Sequence, residues 1–525
     1  MIDVSDMKEI FGFDHIDKSA LKDSTMILDS CCKIARKLEL KAADFDQEGA
    51  KLENGKVILP PGAKDLYKAM ADMGLFSLVA SEKYDGSEMP YPLYFACMET
   101  IARGCPSAAV SACIHATEVD MLQTYGSEPI KEKFIPLLAS GRKLGGFAFT
   151  EANSGSDLGS AKMKAVLDPS GKYYTLNGTK QFITSGGFAS IFVFLASTKP
   201  EDGPKGLSAF VIDTDEAEGF AVTKIEKKMG IKASPTAEIV LTNTKVPVEN
   251  ILGKVGEGFR YALAALDGGR IGIAAQATGI ADSAFKEALK YAGERMQFGK
   301  AINKFAPVRE KLALMGTKVH AARLAYLEAA SMKVRKQEFT TEAAIAKVFA
   351  TESAEWVCRE GIQIHGGYGY IKDYSAERHY RDSRITTIYE GTSEIQRIVI
   401  SRDLLNPKGS QLIGRMKARA EAIQARQKNP ELVSEIRKSI EKLEAAAKII
   451  VTHPDKSARQ FLAQAIVDMA IPVYISLLML NYTIISGGKM EKETRLFISD
   501  TSRSVDRFQA EIQGNRHELL QVFQY

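Results

Sequence analysis

Residues 384–397 read Arg-Ile-Thr-Thr-Ile-Tyr-Glu-Gly-Thr-Ser-Glu-Ile-Gln-Arg, and the carboxylate of Glu390 is the group in this stretch most suited to chemistry. Glu390 follows large side chains and precedes Gly391, where the backbone can bend or admit a ligand. A carboxyl group placed in this way can be partly desolvated, which raises its pKa and suits it to accept a proton. An isolated glutamate before a glycine is usually a solvated loop residue, so the stretch gains meaning only from the rest of the chain.

Composition limits the class of protein. The chain has 525 residues, enough for two or more domains, and its 45% hydrophobic and 26% charged residues are typical of a globular protein. A formal net charge of +4 is too small to indicate nucleic-acid binding. The basic excess lies in residues 406–525, which carry 18 Lys and Arg against 13 Asp and Glu. This distribution favours a solvated helical face, with a peripheral membrane contact or a protein contact as the alternative.

The cysteines and histidines do not indicate a metal site. None of the six cysteines falls in a C-x-x-C pair, and the seven histidines are scattered without ligand spacing. The start of the chain has neither an apolar secretory core nor an Arg-rich transit pattern. We therefore expect no bound metal and a reducing, cytoplasmic location.

The periodicity of apolar residues divides the chain into four parts. Residues 1–143 are mostly helical in pattern, including a run at 117–139, whereas 144–250 contain β-prone runs. Two of these runs flank Asn177-Gly178, as in a β-hairpin. Helical periodicity returns over 251–405. The pattern predicts a mostly α protein with a central β domain.

A linker at 406–410 leads to an additional helical tail, residues 406–525. Within it the pattern predicts helices over 411–428, 431–451, 456–486 and 490–523. The apolar run 463–487 is interrupted by Asp468, Pro472 and Asn481, which favours a buried core helix over a membrane span. Because the tail has several apolar stripes, we expect it to pack on the rest of the protein or on a partner subunit.

Two segments near the start of the β region offer groups for a flat, polar ligand. Gly145-Gly-Phe-Ala-Phe-Thr-Glu-Ala-Asn-Ser-Gly-Ser-Asp157 supplies backbone N–H groups and hydroxyls that can hold a ring edge or a phosphate. Phe182-Ile-Thr-Ser-Gly186 supplies an aromatic face followed by hydroxyls. Composition alone favours a polar turn for the first segment and a core position for Phe182.

Two later segments could contact a dinucleotide. Glu294-Arg-Met-Gln-Phe-Gly299 closes a predicted helix, and Arg295 could pair with a diphosphate or complement the helix dipole. Gln363-Ile-His-Gly-Gly-Tyr-Gly-Tyr370 is glycine-rich, but it is not G-x-G-x-x-G and no predicted strand precedes it, which argues against a Rossmann fold. Arg270 is a lone helix charge whose simplest partner is Asp267, three residues earlier.

The order and spacing of these segments are more specific than any one of them. Together, residues 150–157, 180–184, 294–299, 363–369 and 384–397 resemble the motifs of the acyl-CoA dehydrogenase flavoprotein family, over about residues 5–405. The resemblance implies an N-terminal helical domain, a small central β-barrel or sandwich and a C-terminal four-helix bundle, to which this chain adds its tail. It also implies FAD as the cofactor, a homodimer or homotetramer, and an electron-transferring flavoprotein as partner.

The resemblance further assigns roles to individual residues. Glu390 matches the general base that removes the α-proton of an acyl-CoA thioester. The implied flavin contacts are Phe147, Phe149, Thr150, Phe182, Thr184, Thr392 and Glu394. The implied contacts to the adenosine diphosphate of FAD, across a subunit boundary, are Arg295, Gln297, Phe298, Gln363, Ile364 and Gly367. Tyr389 and Gly391 are implied substrate contacts next to Glu390. Ser156 is implied to lie near the pantetheine or a phosphate and also to contact the cofactor. Asp267 and Arg270 are implied to contact the far end of coenzyme A. Glu226 matches an acidic position implicated in docking the electron-transferring flavoprotein.

We therefore expect FAD-dependent α,β-dehydrogenation of an acyl-CoA to a trans-2-enoyl-CoA, as in β-oxidation. Phe182 stands where a tryptophan is common over the flavin, and Ala152 where a proline is common. Chain length stays open, because the core motifs resemble short- or branched-short-chain members while the tail is reminiscent of very-long-chain members. The alternatives are a branched, cyclic or dicarboxylic acyl-CoA as substrate, and a non-enzymatic scaffold that keeps the fold. A nucleic-acid-associated relative is disfavoured by the near-neutral charge.

Overall fold

The computed structural model describes residues 18–514, with side chains from residue 23 onward. It confirms a mostly α protein with a central β domain, in the order helical domain, sheet, helical domain and helical tail. The start of the chain, where no leader is expected, and the last part of the helix predicted over 490–523 lie outside the described residues.

The N-terminal domain is helical, with one short hairpin that the sequence pattern did not predict. Its elements are α1 (Lys18–Glu48), β1 (Lys51–Glu53), β2 (Lys56–Ile58), α2 (Ala63–Asp72), α3 (Tyr91–Gly104), α4 (Pro106–Tyr125) and α5 (Glu128–Ala139). The helical run expected over 117–139 is divided between α4 and α5. Gly126 is extended there, and a Cβ atom at this position would lie 2.5 Å from the carbonyl oxygen of Leu122.

The central domain is one seven-stranded sheet. Its strands are β3 (Gly145–Ala148), β4 (Lys164–Leu167), β5 (Tyr173–Thr184), β6 (Ile191–Ser197), β7 (Leu207–Asp213), β8 (Phe220–Ile225) and β9 (Thr236–Pro247). They run in the order β3-β6-β4-β5-β9-β8, and β7 also pairs with β6. The branch at β6 curls the sheet round a core that contains Phe192, Phe194 and Phe210, all fully buried. Both faces of β6 are therefore apolar.

The hairpin predicted at Asn177-Gly178 is wrong. Both residues lie inside the single strand β5, which pairs with β9 on either side of them. The register shifts next to Gly178, and a Cβ atom there would come within 3.0 Å of Met163 Cα. Asn177 Oδ1 accepts a hydrogen bond of 2.8 Å from the backbone N–H of Asn243. The sequence Asn-Gly thus forms a bulge with close backbone approach instead of a turn.

The C-terminal domain is a helical bundle round one long helix. Its elements are α6 (Gly258–Glu294), β10 (Met296–Gln297), β11 (Lys300–Ala301), α7 (Ala306–Val334), α8 (Thr340–His365), α9 (Gly367–Tyr370), α10 (Ala376–Arg384) and α11 (Ser393–Leu404). Helix α6 packs on α3 and α4 of the first domain as well as on α7 and α8. Its small residues permit close approach, since a Cβ atom at Gly279 would overlap the backbone of Glu99.

A buried ionic cluster joins these helices. Glu99 of α3 accepts hydrogen bonds from Arg103, Arg323 and Tyr326, at 2.5–3.1 Å. Burial alone would raise the pKa of Glu99, but the positive charges of Arg323 and Arg103 outweigh burial and lower it. Asp282 of α6 completes the cluster through a 2.7 Å ion pair with Arg103. The carboxylate therefore holds three helices in register.

The tail forms four helices that pack on the bundle, as expected. They are α12 (Gln411–Gln424), α13 (Pro430–Thr452), α14 (Lys456–Ile485) and α15 (Glu491–Gln513). Helix α14 lies against α7 and α11, and it is long and apolar enough to cross a membrane by length and composition alone. Of the most apolar 18-residue stretch of α14, 67% is buried inside the protein. The helix therefore packs in the core, as predicted. The peripheral membrane contact stays a prediction.

Ion pairs fasten the tail to the bundle. Arg415 donates to Glu342 at 2.6 Å, and Arg397 of α11 donates to Asp468 of α14 at 2.5 Å. Arg419 of α12 donates to Glu328 of α7, whose side chain is only 4% exposed. The tail thus supplies the ion-pair partner of buried Glu342 and a second partner to Glu328 and Arg397, which also pair with Arg335 and Glu352.

We expect Arg419→Met to lower the free energy of unfolding by about 2 kcal/mol, because buried Glu328 then loses one of its two arginine partners and keeps only Arg335. Lys417→Met is the matched control on the same helix. It removes an exposed pair with Glu444 and should cost at most about 1 kcal/mol. Chemical denaturation of both variants measures the difference, and equal losses would contradict a tail held by buried charge.

Candidate active site

Glu390 lies in a tight turn before α11. Glu390 and Gly391 both adopt left-handed backbone angles, with φ of 53° and 88°. A Cβ atom at Gly391 would overlap the amide nitrogen of Gln396, which donates to the carbonyl oxygens of Glu390 and Gly391 at 3.4 and 3.2 Å. Thr392 caps α11 by accepting from the N–H of Ile395. A left-handed glutamate costs energy, so the surrounding contacts must hold it in place.

The carboxylate of Glu390 rests against α6. A Cβ atom at Gly269 would lie 2.6 Å from Glu390 Oε2, so only glycine leaves room for it. Oε2 is buried and has no hydrogen-bond partner among the described residues, although the rest of the side chain is partly accessible. Burial raises the pKa of Glu390 to about 7, against the opposing charges of Arg270 and Lys347. A carboxyl group that ionises near neutrality is suited to act as a general base.

An apolar cluster brings the first β segment next to this turn. Phe147 of β3, Ile385 and Tyr389 pack together on a small core of Val110, Ile114, Ile231 and Ile273. The hydroxyl of Tyr389 donates to the side chain of Gln276, which is fully buried in α6. Tyr389, which precedes Glu390, is therefore fixed to α6, and Phe147 of β3 packs beside it.

The flavin-side residues lie at the ends of β3 and β5. Phe147 and Phe149 stack with ring centroids 4.7 Å apart, and the N–H of Gln181 donates to the carbonyl of Thr150 at 2.9 Å. Phe182 has a φ of 59° and is 58% exposed. A bulky apolar residue held in that conformation and left uncovered is typical of a site that takes a flat ligand. Thr184 ends β5 and is half-buried.

Other predicted contacts are more exposed. Ser156 lies in the loop between β3 and β4, and Glu394 lies in the first turn of α11. Glu226 follows β8 and pairs with Lys224 at 2.7 Å. Their roles toward a cofactor, a substrate or a partner stay predictions.

A second cluster forms at the far end of α6. Arg295, Gln297, Ile364 and Gly367 line one cavity of about 430 Å³ together with Tyr291 and Tyr368. Gln363 is exposed next to Ile364, and Phe298 is 92% exposed at the tip of the β10–β11 hairpin. The structure thus groups most of the residues predicted to contact adenosine diphosphate. The sequence pattern gave no signal for Tyr291, whose ring stacks on His365 at 4.4 Å.

The residues round Glu390 and the cluster round Arg295 are widely separated within one chain. Gly269, next to the base, and Glu294, next to Arg295, are 25 residues apart on α6. At 1.5 Å per residue this is roughly 38 Å along the helix axis. A single extended FAD molecule does not reach that far.

Arg270 is buried, forms the expected salt bridge with Asp267, and interacts electrostatically with Glu390. Its contact with the distant end of coenzyme A stays a prediction. Asp267 is half-buried and also accepts from Thr340 at 2.7 Å.

Comparison with known proteins decides the family. Family models of the acyl-CoA dehydrogenase N-terminal, middle and C-terminal domains match residues 22–142, 146–244 and 256–405. The chain belongs to the acyl-CoA dehydrogenase family. It is 40% identical to the acryloyl-CoA reductase (NADH) of Anaerotignum propionicum over 390 residues, which cover 74% of this chain and 98% of that one. It is 42% identical to the subunit CarC of the caffeyl-CoA reductase–Etf complex of Acetobacterium woodii over 344 residues, 65% of this chain and 90% of that one.

Solved structures agree with this assignment. Butyryl-CoA dehydrogenase from Megasphaera elsdenii matches with a TM-score of 0.69 and 38% identity, over 73% of this chain and 98% of that one. An acyl-CoA dehydrogenase from Bacillus anthracis, complexed with FAD, matches with a TM-score of 0.79 and 25% identity, over 95% of this chain and 90% of that one. The longer match shows that the fold of the tail also has a counterpart.

FAD is the cofactor of this acyl-CoA dehydrogenase, and the residues present fit it. Exposed Phe182 and half-buried Phe147 offer faces for the flavin ring. Arg295 offers a fork for a diphosphate at the second cluster, and a Cβ atom at Gly367 would meet nothing within 4 Å, which leaves its backbone accessible.

We expect Gly269→Ala to slow FAD reduction by an acyl-CoA about 100-fold, because the new methyl group displaces the Glu390 carboxylate by about 1 Å. The matched control is Gly268→Ala, whose Cβ would be 3.4 Å from Lys333 Nζ, an ordinary contact. Stopped-flow absorbance of the flavin measures both rates. If both variants reduce FAD equally fast, the contact between Gly269 and Glu390 does not position the base.

Proposed function

We propose that this enzyme interconverts a short-chain acyl-CoA and its trans-2-enoyl-CoA, with Glu390 as the base. The observation that carries the proposal is the buried Oε2 of Glu390, which has no hydrogen-bond partner among the described residues. Burial raises the pKa of this carboxyl group to about 7, and the adjacent Tyr389 packs with Phe147 of β3. Glu390 takes the α-proton of the thioester at its carboxylate. When bound, FAD supplies the acceptor for the hydride that leaves the β-carbon.

Residues of the chain provide the rest of the proton transfer. The left-handed turn at Glu390 and Gly391 fixes the carboxylate, and Tyr389 is anchored on Gln276. Entry of an acyl chain would exclude water from the half-open side of Glu390, which strengthens its basicity further. In this proposal the backbone N–H of Glu390 polarises the thioester carbonyl.

The packing beyond the base supports a short acyl chain. Gly272 lies one turn after Gly269 on α6, and the thiol of Cys113 in α4 approaches its carbonyl oxygen at 3.7 Å. A Cβ atom at Gly272 would lie 3.2 Å from Cys113 Sγ and 3.5 Å from the ring of Phe95. Helices α4 and α6 therefore close against each other about one turn beyond the base. The relative named for butyryl-CoA supports the same chain length.

Two of the relatives support an alternative direction of the same reaction. They are named as reductases of acryloyl-CoA and caffeyl-CoA, and the second is a subunit of a complex with Etf. The same base, run in reverse, returns a proton to the α-carbon of an enoyl-CoA. We propose an electron-transferring flavoprotein as the redox partner in either direction, with Glu226 at the docking surface.

The separation of the two clusters supports a homodimer with composite sites. Roughly 38 Å along α6 separates Gly269, next to Glu390, from the Arg295 cluster. One FAD would therefore contact Phe147 and Phe182 of one subunit and the Arg295 cluster of its partner. The exposure of Phe298 agrees with a surface that another subunit or its cofactor covers.

We expect butyryl-CoA to bleach the flavin absorbance anaerobically in the wild-type enzyme, and palmitoyl-CoA to bleach it far less. Glu390→Gln should keep FAD but lose bleaching by at least about 10³-fold, since it removes the base. In the wild type, kcat/KM should rise with pH through about 7, because Glu390 must be ionised in the free enzyme. Rapid bleaching of Glu390→Gln would remove Glu390 as the base.

Mixed dimers test the composite site. Glu390→Gln and Arg295→Ala should each be inactive as homodimers, the second through weakened FAD binding. A co-expressed, doubly tagged heterodimer should regain about half of the wild-type activity, because one of its two sites then has both Glu390 and Arg295 intact. Absence of recovery in a purified heterodimer would show that each FAD is bound within one chain.

A further inference from the structure

Lys347 is a buried cation that the mechanism above does not use. It lies in the middle of α8, its side chain is fully buried, and its ammonium nitrogen has no hydrogen-bond partner among residues 23–514. A buried ammonium without a counter-charge is strongly disfavoured. A nearby carboxylate must therefore balance it, or it must give up its proton.

Three carboxylates interact electrostatically with Lys347, and two of them are engaged elsewhere. Glu352 is partly exposed and holds Arg397 at 2.9 and 3.0 Å. Glu394 is exposed in the first turn of α11. Only Glu390 presents a buried oxygen without a partner. Lys347 Nζ and Glu390 Oε2 are thus buried atoms of opposite charge that lack hydrogen-bond partners among the described residues, and their groups interact electrostatically. Helix α8 packs on α6, which approaches the Glu390 carboxylate at Gly269, and on α11, which follows Glu390.

Arg270 is the other cation that interacts with Glu390, and its charge opposes the rise in the pKa of Glu390 more strongly than the charge of Lys347 does. Arg270 also lies near Glu390, but its guanidinium forms the salt bridge with Asp267 on the same helix. The Asp267–Arg270 pair therefore has little net charge, whereas Lys347 brings an uncompensated one. Cys113 of α4 and Tyr389 are the other titratable groups close to Glu390, and burial raises the pKa of each thiol or phenol so that both are neutral.

We propose that Lys347 is a positioning residue whose ammonium is the counter-charge of the ionised base Glu390. This inference rests on the proposed role of Glu390. The base and the lysine form a buried pair that exists as two charged groups or, after transfer of one proton, as two neutral groups. Lys347 is fully buried, and Oε2 is the buried oxygen of a Glu390 side chain that is otherwise partly accessible.

Electrostatics favours this reading of the pair. Burial lowers the pKa of Lys347 to about 7, and burial raises the pKa of Glu390 to about 7. The negative charge of Glu390 opposes the first shift, and the positive charge of Lys347 opposes the second. The two groups therefore titrate together near neutral pH. Without the positive charge of Lys347, the effect of burial on Glu390 is less opposed. The pKa of Glu390 then rises, and less of the base is ionised at neutral pH.

Lysine substitutions with matched polarity test the proposal. Lys347→Met removes both the charge and the hydrogen-bonding group. Lys347→Gln removes the charge but keeps a hydrogen-bonding group, and Lys347→Arg retains the charge. Lys318→Met is the control, because Lys318 is another largely enclosed lysine of the bundle that lies over the Trp356 ring at 5.3 Å and interacts with Glu352 and Asp500 instead of Glu390. FAD content and the melting temperature identify any variant that is misfolded.

Two measurements are needed, one of which is independent of turnover. Infrared difference spectra of the holoenzyme against pH, with the Glu390→Gln spectra subtracted, follow protonation of the Glu390 carboxyl group directly. The pH dependence of kcat/KM with butyryl-CoA follows the base in action. In the charge-removing variants both midpoints should move upward by about 1–3 pH units, the range by which a neighbouring opposite charge shifts a carboxyl group. At pH 7 activity should fall at least tenfold and recover at alkaline pH.

The outcomes separate the possibilities. Lys347→Arg and Lys318→Met should keep the wild-type midpoint. If Lys347→Met and Lys347→Gln lose activity equally at every pH with an unmoved midpoint, Lys347 has only a structural role and the proposal is wrong. If butyryl-CoA and every other acyl-CoA fail to reduce the wild-type flavin, the proposed function fails, while the infrared midpoints still test the pairing of Lys347 with Glu390.

Discussion

The close approach of the Glu390 carboxylate to the α6 backbone at Gly269 is the contact on which the site depends. A side chain of any size at position 269 would occupy the place of Oε2. The contact buries one carboxylate oxygen while the rest of the side chain stays partly accessible, so a single group is both desolvated and reachable. Desolvation makes the carboxylate a stronger base, and access lets a substrate reach it. A left-handed turn at Glu390 and Gly391 delivers the side chain to this place, and the strain of that turn is balanced by the hydrogen bonds of Gln396.

This contact requires that α6 be held rigidly, and the fold supplies the means. Gly279 lets α6 approach the backbone of α3 closely, and Glu99 ties α3 to α7 through Arg323 and Tyr326. Burial favours a raised pKa for the carboxyl groups of both Glu99 and Glu390. At Glu99 the charges of Arg323 and Arg103, together with hydrogen bonds, outweigh burial and lower the pKa, whereas at Glu390 burial outweighs the charges of Arg270 and Lys347. The same packed helices thus surround two carboxyl groups whose pKa values are shifted in opposite directions.

The sequence predicted those parts of the molecule that depend on local pattern. Helical periodicity, the β region and the spaced motifs located Glu390, Phe182 and the Arg295 cluster, because each is set by a short run of residues. The errors occurred where tertiary contacts override local preference. Asn177-Gly178 is a hairpin signal in isolation, but pairing of β5 with β9 on both sides converts it into a bulge. Lys347 gave no signal at all, since a lysine in an alanine-rich helix is ordinary until the structure shows that its ammonium is buried without a hydrogen-bond partner among the described residues.

The tail and the acyl site now give separate information about substrate length. From the sequence, a tail of this kind and short-chain-like core motifs conflict. In the structure, α14 lies on α7 and α11 and its Asp468 pairs with Arg397, while Arg419 and Arg415 of α12 pair with Glu328 and Glu342 of α7 and α8. The space beyond the base is instead closed by Cys113, Gly272 and Phe95, which belong to α4, α6 and α3. Since the residues that close the acyl site and the residues that hold the tail lie on different helices or faces, the presence of the tail does not require a long acyl chain. The packing of α4 on α6 is therefore the better guide to chain length.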